Sequence, residues 1–233
     1  MNPFSWLFGS RVLLQKNQRE QLQAWRALAE PDLSLPHAEV RHVVVDVESS
    51  GLNTSTDHLI AIGAVAVKNL RIELQDSFYA VLRQKDPSTH ENILIHRIGG
   101  TEQTEGEEPV DALLRFLAFA GKAPLVGFHS PFDEIMMRRA MRQYLGEPFS
   151  RKWMDLAWLA PAILPALAAE AHGLDDWTAR FGIVNTLRHN ALADAMATAQ
   201  LFLVLQDQAR RAGKEPVRDL LEIARGQQWL GQR

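Results

Sequence analysis

The sequence contains no cysteine. Disulfide staples, thiolate nucleophiles and sulfur-ligated zinc are therefore excluded together. No apolar run approaches the roughly 20 residues that a membrane span requires. The opening "MNPFSWLFGSRVLL" lacks the basic start, long apolar stretch and small-residue cleavage site of a secretory signal, so a cytoplasmic protein away from any membrane is expected. An excess of basic residues is missing too: 25 Lys and Arg stand against 28 Asp and Glu, a formal charge of −3. That argues against a surface built to neutralise long duplexes. It leaves room for a site that handles a few nucleotides with a metal ion supplying the positive charge. Repeats and low-complexity segments are also absent.

What is present is ordinary globular composition, 46% apolar and 23% charged over 233 residues, enough for one domain with one core. Residues 1–40 read as a helical N-terminal extension, with Leu22, Trp25 and Leu28 at helical spacing and Pro31 ending the pattern. The main domain, 41–210, opens with "RHVVVDVESSGL" (41–52), whose valines read as a strand buried on both faces. A second apolar strand spans 59–67, and a third, 70–83, pairs antiparallel to it through a turn near Lys68–Asn69. A polar stretch, 84–108, precedes a helix over 109–121 that starts on Pro and ends on Gly. Residues 123–129 read as a short buried strand, and 130–146 as a helix with Ser130 at its N-cap and Pro131 at the first helical position. The stretch 152–164 is mostly apolar, helices follow over 174–183 and 190–213, and the C-terminal tail, 211–233, carries a helix near 216–225. The sum is α/β, a mixed sheet with helices on its faces.

Acids placed against apolar surroundings carry the chemistry. Asp46 and Glu48 stand two apart on the valine strand and so project from one face. Asp133, in "GFHSPFD", follows a short buried strand as Asp46 does, although an acid in the first turn of a helix also suits the helix dipole. Asp194 lies among Leu192, Ala193, Ala195 and Met196 early in a long helix, a setting that calls for a counter-ion. His189 precedes the Asn190 cap and can fold back over the helix start. Oxygen ligands without sulfur suit Mg²⁺ or Mn²⁺. Two such ions held by four carboxylates stabilise the attacking and leaving oxygens in phosphodiester hydrolysis, and a nearby His can take the proton of the attacking water.

"DVESSGL", "GFHSPFD" and "HNALADA", in this order, resemble the three motifs of the DEDD exonucleases, and the His-x-Ala-x-x-Asp form of the last resembles the DEDDh branch. That branch includes the epsilon proofreading subunit of bacterial replicative DNA polymerase, ribonuclease T and oligoribonuclease. The resemblance covers about residues 40–208, and "ILIHRIGG" and "HGLDDWTARFGI" look like epsilon-type segments between the motifs. It implies a ribonuclease H-like sheet and a 3′→5′ exonuclease acting on single-stranded 3′ ends of DNA. Asp46, Glu48, Asp133 and Asp194 would then hold two divalent ions, and His189 would be the general base. Ser49, Ser50, Gly51, Leu52 and Phe132 match the segments that contact the terminal nucleotide. The family usually has Thr where Ser50 stands and Asn where Ser130 stands.

Two alternatives stay open at this level. One is trimming of RNA or oligoribonucleotides; the other is an exonuclease fold that serves as a catalytically weak scaffold. The apolar "PFSWLF" and "QQWL" near the ends offer a surface for a homodimer or a protein partner.

Overall fold

Strand β1 (His42–Ser49) forms the middle of the protein, and its sequence explains why. Val43, Val45 and Val47 point into one hydrophobic cluster and Val44 into a second, on opposite sides of the sheet. Full burial of one valine stabilises by about 1.5–3 kcal/mol. Three or four of them match the several kcal/mol that a buried carboxylate costs. The strand can therefore carry Asp46 and Glu48 inward. This is a computed structural model, and it describes residues 12–231.

β2 (Leu59–Lys68) runs antiparallel to β1, and β3 (Arg71–Val81) antiparallel to β2. The two-residue turn between them sets Asn69 and Leu70 at φ of 51° and 56°, the mirror-image turn that matches strand twist. On the other flank of β1, β4 (Leu125–Gly127) and β5 (Trp153–Asp155) pair in parallel, giving the order β3-β2-β1-β4-β5. The mixed sheet is the one expected from the sequence, and β5, which lies in a stretch read only as apolar, is added to it as a fifth strand.

One face is covered by α1 (Lys16–Arg26), α4 (Pro109–Ala120) and α5 (Pro131–Ala140), the last continuing into a π-helical turn, Met141–Leu145. The other is covered by α6 (Leu156–Ile163), α7 (Leu174–Arg180), α8 (Ala191–Arg211) and α9 (Val217–Gly231). Within the stretch expected only to be polar, 84–108, two short helices form, α2 (His90–His96) and α3 (Gly100–Thr104). His96 and Gln103 are buried there and tie the segment together through Ser88 and Asn92. No helix among the described residues is long and apolar enough to cross a membrane.

Three local expectations are corrected. Leu28 lies beyond the end of α1 and is 47% exposed, because the helix already stops at Arg26. Ser130 precedes α5, but its side chain makes no capping bond, since its own backbone is already helical (φ −58°, ψ −15°). The tail helix α9 runs longer than expected and packs Val217, Leu220 and Leu221 into the second cluster. The segment "PFSWLF" lies outside the described residues, whereas Trp229 of "QQWL" is half exposed on α9.

Candidate active site

The site forms where the C-terminal end of β1 meets the start of α8. Asp46 and Glu48 point to the side of the sheet that α8 covers, as does Val44. Asp46 pairs with Gly63 in the β1–β2 register, and that glycine is what lets α8 come close. A Cβ on Gly63 would stand 2.2 Å from the backbone of Ala191 and Leu192, inside contact distance. With the helix seated there, Asp194 reaches the strand acids. Oxygens of Asp46, Glu48 and Asp194 all lie within 4.8 Å of one another.

Two further side chains join this group from separate elements. Asp133, in the first turn of α5, accepts a hydrogen bond from the Val47 amide at 3.1 Å, so its carboxylate is held against β1 beside the two strand acids. His189 sits in the left-handed region at φ 61°, and its amide donates to Asp194 Oδ2 at 3.0 Å. The imidazole thus belongs to the loop that folds back over the helix start. Asn190 caps that helix by accepting the Ala193 amide at 3.1 Å. Asp46, Glu48, Asp194 and His189 share one cleft, whereas Asp133 does not line it and adjoins the group through the Val47 amide and its charge on Asp46.

Electrostatics follow from the crowding. Burial pushes Glu48 up from 4.5 to about 8, with Asp194 and Asp133 adding repulsion and Arg188 opposing them. Asp46 is raised well above the carboxylate range, first by burial and then by Asp133, Asp194 and Glu48. Asp133 rises to about 8 for the same first reason, although backbone hydrogen bonds pull it down. Such a set retains protons until a cation arrives.

Arg188 is the residue that sequence reading missed. Its guanidinium pairs with Asp194 and, through Nε at 2.7 Å, with Asp175 of α7. Asn185 donates a further bond to Asp194. The question posed by an Asp in an apolar helix is partly answered by an arginine six residues upstream. Only the fold shows this, because nothing in "NTLRHN" says which way the loop turns.

Asp46, Glu48, Arg188, His189 and Asp194 line a cleft of about 700 Å³. Ser49, Gly51, Leu52 and Phe132 line it as well, with Leu52 fully presented at 89% exposure. Ser50 does not line it: its hydroxyl donates to Asp57 Oδ1 and accepts from the His58 amide, closing the turn after β1. The opposite wall comes from α2, where Leu94 and Ile95 are exposed.

The donor set fits a hard divalent cation. Three carboxylates converge within 4.8 Å, a fourth stands beside them, and neither thiol nor thioether intrudes. Burial and mutual repulsion are what bound cations relieve.

Comparison with known proteins agrees with this geometry. The exonuclease family profile (RNase_T) matches residues 43–202. A DNA polymerase III subunit epsilon-like protein of Rhodobacter capsulatus is 34% identical over 184 residues, 77% of this chain and 25% of that protein. A PolC-type DNA polymerase III of Thermotoga petrophila is 28% identical over 174 residues, 73% of this chain and 12% of that protein. The chain therefore spans a quarter or less of the length of these relatives. Among solved structures, E. coli exonuclease I in complex with a dT13 oligonucleotide superposes with a TM-score of 0.65 at 17% identity, covering 75% of this chain and 42% of that one. Exonuclease X in complex with 5′ overhanging duplex DNA gives 0.61 at 18% identity, covering 78% and 99%. At those identities the likeness is one of fold. Matched by the family profile over more than half its length, the chain belongs to the exonuclease family.

Proposed function

We propose that the protein removes nucleotides from the 3′ end of single-stranded DNA by hydrolysing phosphodiester bonds, releasing nucleoside monophosphates. The observation that carries this reading is the convergence of Asp46, Glu48 and Asp194 in one cleft that His189 also lines, with Asp133 behind it, bonded to the Val47 amide. Asp46, Glu48, Asp133 and Asp194 would hold two divalent ions, Mg²⁺ or Mn²⁺. When bound, these supply the positive charge that stabilises the attacking and leaving oxygens.

The chain's own residues do the rest. His189 accepts the proton of the attacking water at an imidazole nitrogen and passes it to solvent. The backbone of Ser49 and Gly51 borders the path of the terminal nucleotide, and exposed Leu52 and half-buried Phe132 offer apolar surface to its base. Ser50 supports that segment from behind through Asp57 and His58. A single strand is favoured because the acids lie in a recess bordered by Leu52 and α2, where an unpaired end enters more readily than a duplex. The DNA-bound complexes of the two exonucleases that share the fold support DNA as the substrate.

The test is degradation of end-labelled single- and double-stranded DNA and RNA, with Mg²⁺, Mn²⁺ or chelator. We expect metal-dependent shortening of single-stranded DNA from the 3′ end. Faster attack on RNA of matched sequence would replace the substrate assignment. No hydrolysis and no Mn²⁺ binding would leave a scaffold role instead.

A further inference from the structure

Asp155 closes β5, directly beside Gly127 in the β4–β5 register. It is 8% exposed, forms no ion pair with a lysine or arginine among the described residues, and its Oδ1 accepts two backbone amides: His129 at 2.9 Å and Ala157 at 3.0 Å. The second is the N-cap of α6. The first has no such routine explanation. His129 is in the left-handed region at φ 58°, in the turn that leads from β4 into α5 and so to Asp133. That turn is tight, since a Cβ on Gly127 would come within 2.9 Å of the Ser130 Cβ. Ser130 does not cap α5, which leaves Asp155 as the side chain that holds the helix entry.

We propose that Asp155 is a positioning residue of the site: its carboxylate clamps the His129 turn and thereby sets Asp133 against β1. The path is short and continuous. Asp155 fixes the His129 amide, α5 begins two residues later, and Asp133 in its first turn meets the Val47 amide between Asp46 and Glu48. A ligand carboxylate held from behind by an anchored turn keeps its direction, and loss of such support typically lowers metal affinity or rate by about 10–100-fold. The hydrogen bonds of the clamp fall on Oδ1, and among the described residues Oδ2 has no hydrogen-bond partner. An asparagine can present the same oxygen at the Oδ1 position.

This inference rests on the metal-dependent reading of the site, and two substitutions separate it from plain capping. Asp155→Ser keeps an N-cap hydroxyl for α6 but is too short to reach across to His129. Asp155→Asn keeps both bonds. Mn²⁺ affinity by calorimetry, kcat and KM on single-stranded DNA, and Tm in chelator are measured on each. We expect Asp155→Ser to bind Mn²⁺ about tenfold or more weakly and to lose about 10–100-fold in kcat with KM little changed, at a Tm close to wild type. Asp155→Asn should stay within about threefold of wild type in affinity and kcat. Wild-type affinity and kcat in a folded Asp155→Ser protein would overturn the proposal. So would damage in Asp155→Asn equal to that in Asp155→Ser, and this arm decides the matter if the serine variant does not fold. A wild-type protein that neither binds Mn²⁺ nor cuts DNA would overturn the functional reading itself.

Discussion

His189 illustrates how one residue can serve backbone and chemistry at once. Its φ of 61° is unusual for a residue with a side chain and costs roughly 1 kcal/mol. The amide that this conformation turns toward Asp194 offsets the cost. Replacing it by alanine would disturb both roles, whereas asparagine tolerates the left-handed region. His189→Asn should therefore keep the loop and the Mn²⁺ affinity while lowering kcat by about 10²–10⁴-fold, the usual contribution of a general base. Unchanged turnover in steady-state kinetics would remove His189 from the mechanism. Arg188, next to it, has a different task. It bridges Asp175 and Asp194 and so ties α7 to the helix that bears a candidate ligand.

At the scale of elements, the approach of α8 to β2 decides whether the acids meet. Gly63 faces the helix start across a gap that no Cβ fits. Gly63→Ala must push α8 outward, and overpacking of this kind costs about 1–3 kcal/mol. The larger effect should fall on function, because an ångström of displacement at Asp194 separates it from Asp46 and Glu48. We expect a folded protein with a lower Tm, Mn²⁺ affinity reduced at least about tenfold and little activity. A Gly63→Ala protein with wild-type affinity in calorimetry would show that the helix adjusts without moving the site. The same scale governs the two ends of the described chain. Trp25 of α1 is buried against Phe149 and donates to the Gly121 carbonyl at 2.7 Å, while Gln18 donates to Asp111. The extension is thus joined to α4 by packing and hydrogen bonds on one flank, and α9 is joined to α6 and β5 on the other.

For the whole molecule, the buried acids link stability to pH. Glu48 has its folded pKa raised from 4.5 to about 8, and Asp133 from 3.8 to about 8. The folded state then binds more protons than the unfolded chain between roughly pH 4 and 8. Stability conferred by these groups is present below that window and lost as pH rises through it. In chelator, Tm should fall across the window, and Glu48→Gln should flatten its share of the slope and raise Tm at pH 8. Saturating Mn²⁺ should cancel the decline, because bound cations stabilise only the folded form. Differential scanning calorimetry from pH 4.5 to 8.5 checks this. A Tm that climbs with pH in chelator would show that the acids are not buried as charges.

Much of this was legible in the chain itself. The two-residue spacing of Asp46 and Glu48 put both on one face of β1, since side chains on a strand must alternate. Asn190 announced its helix, and Pro109 and Gly121 bracketed theirs, because caps are local chemistry. The order of the motifs was enough to group five residues before their distances were known. Tertiary structure decided what depends on chain segments far apart in sequence. It assigned Arg188 to Asp194, turned Ser50 away from the cleft, and gave the His129 amide ahead of α5 to Asp155 while Ser130 caps nothing. It also showed why Gly63 must lack a side chain. A sequence records which groups need partners, whereas only the packed sheet and helices bring a particular donor within 3 Å of a particular acceptor.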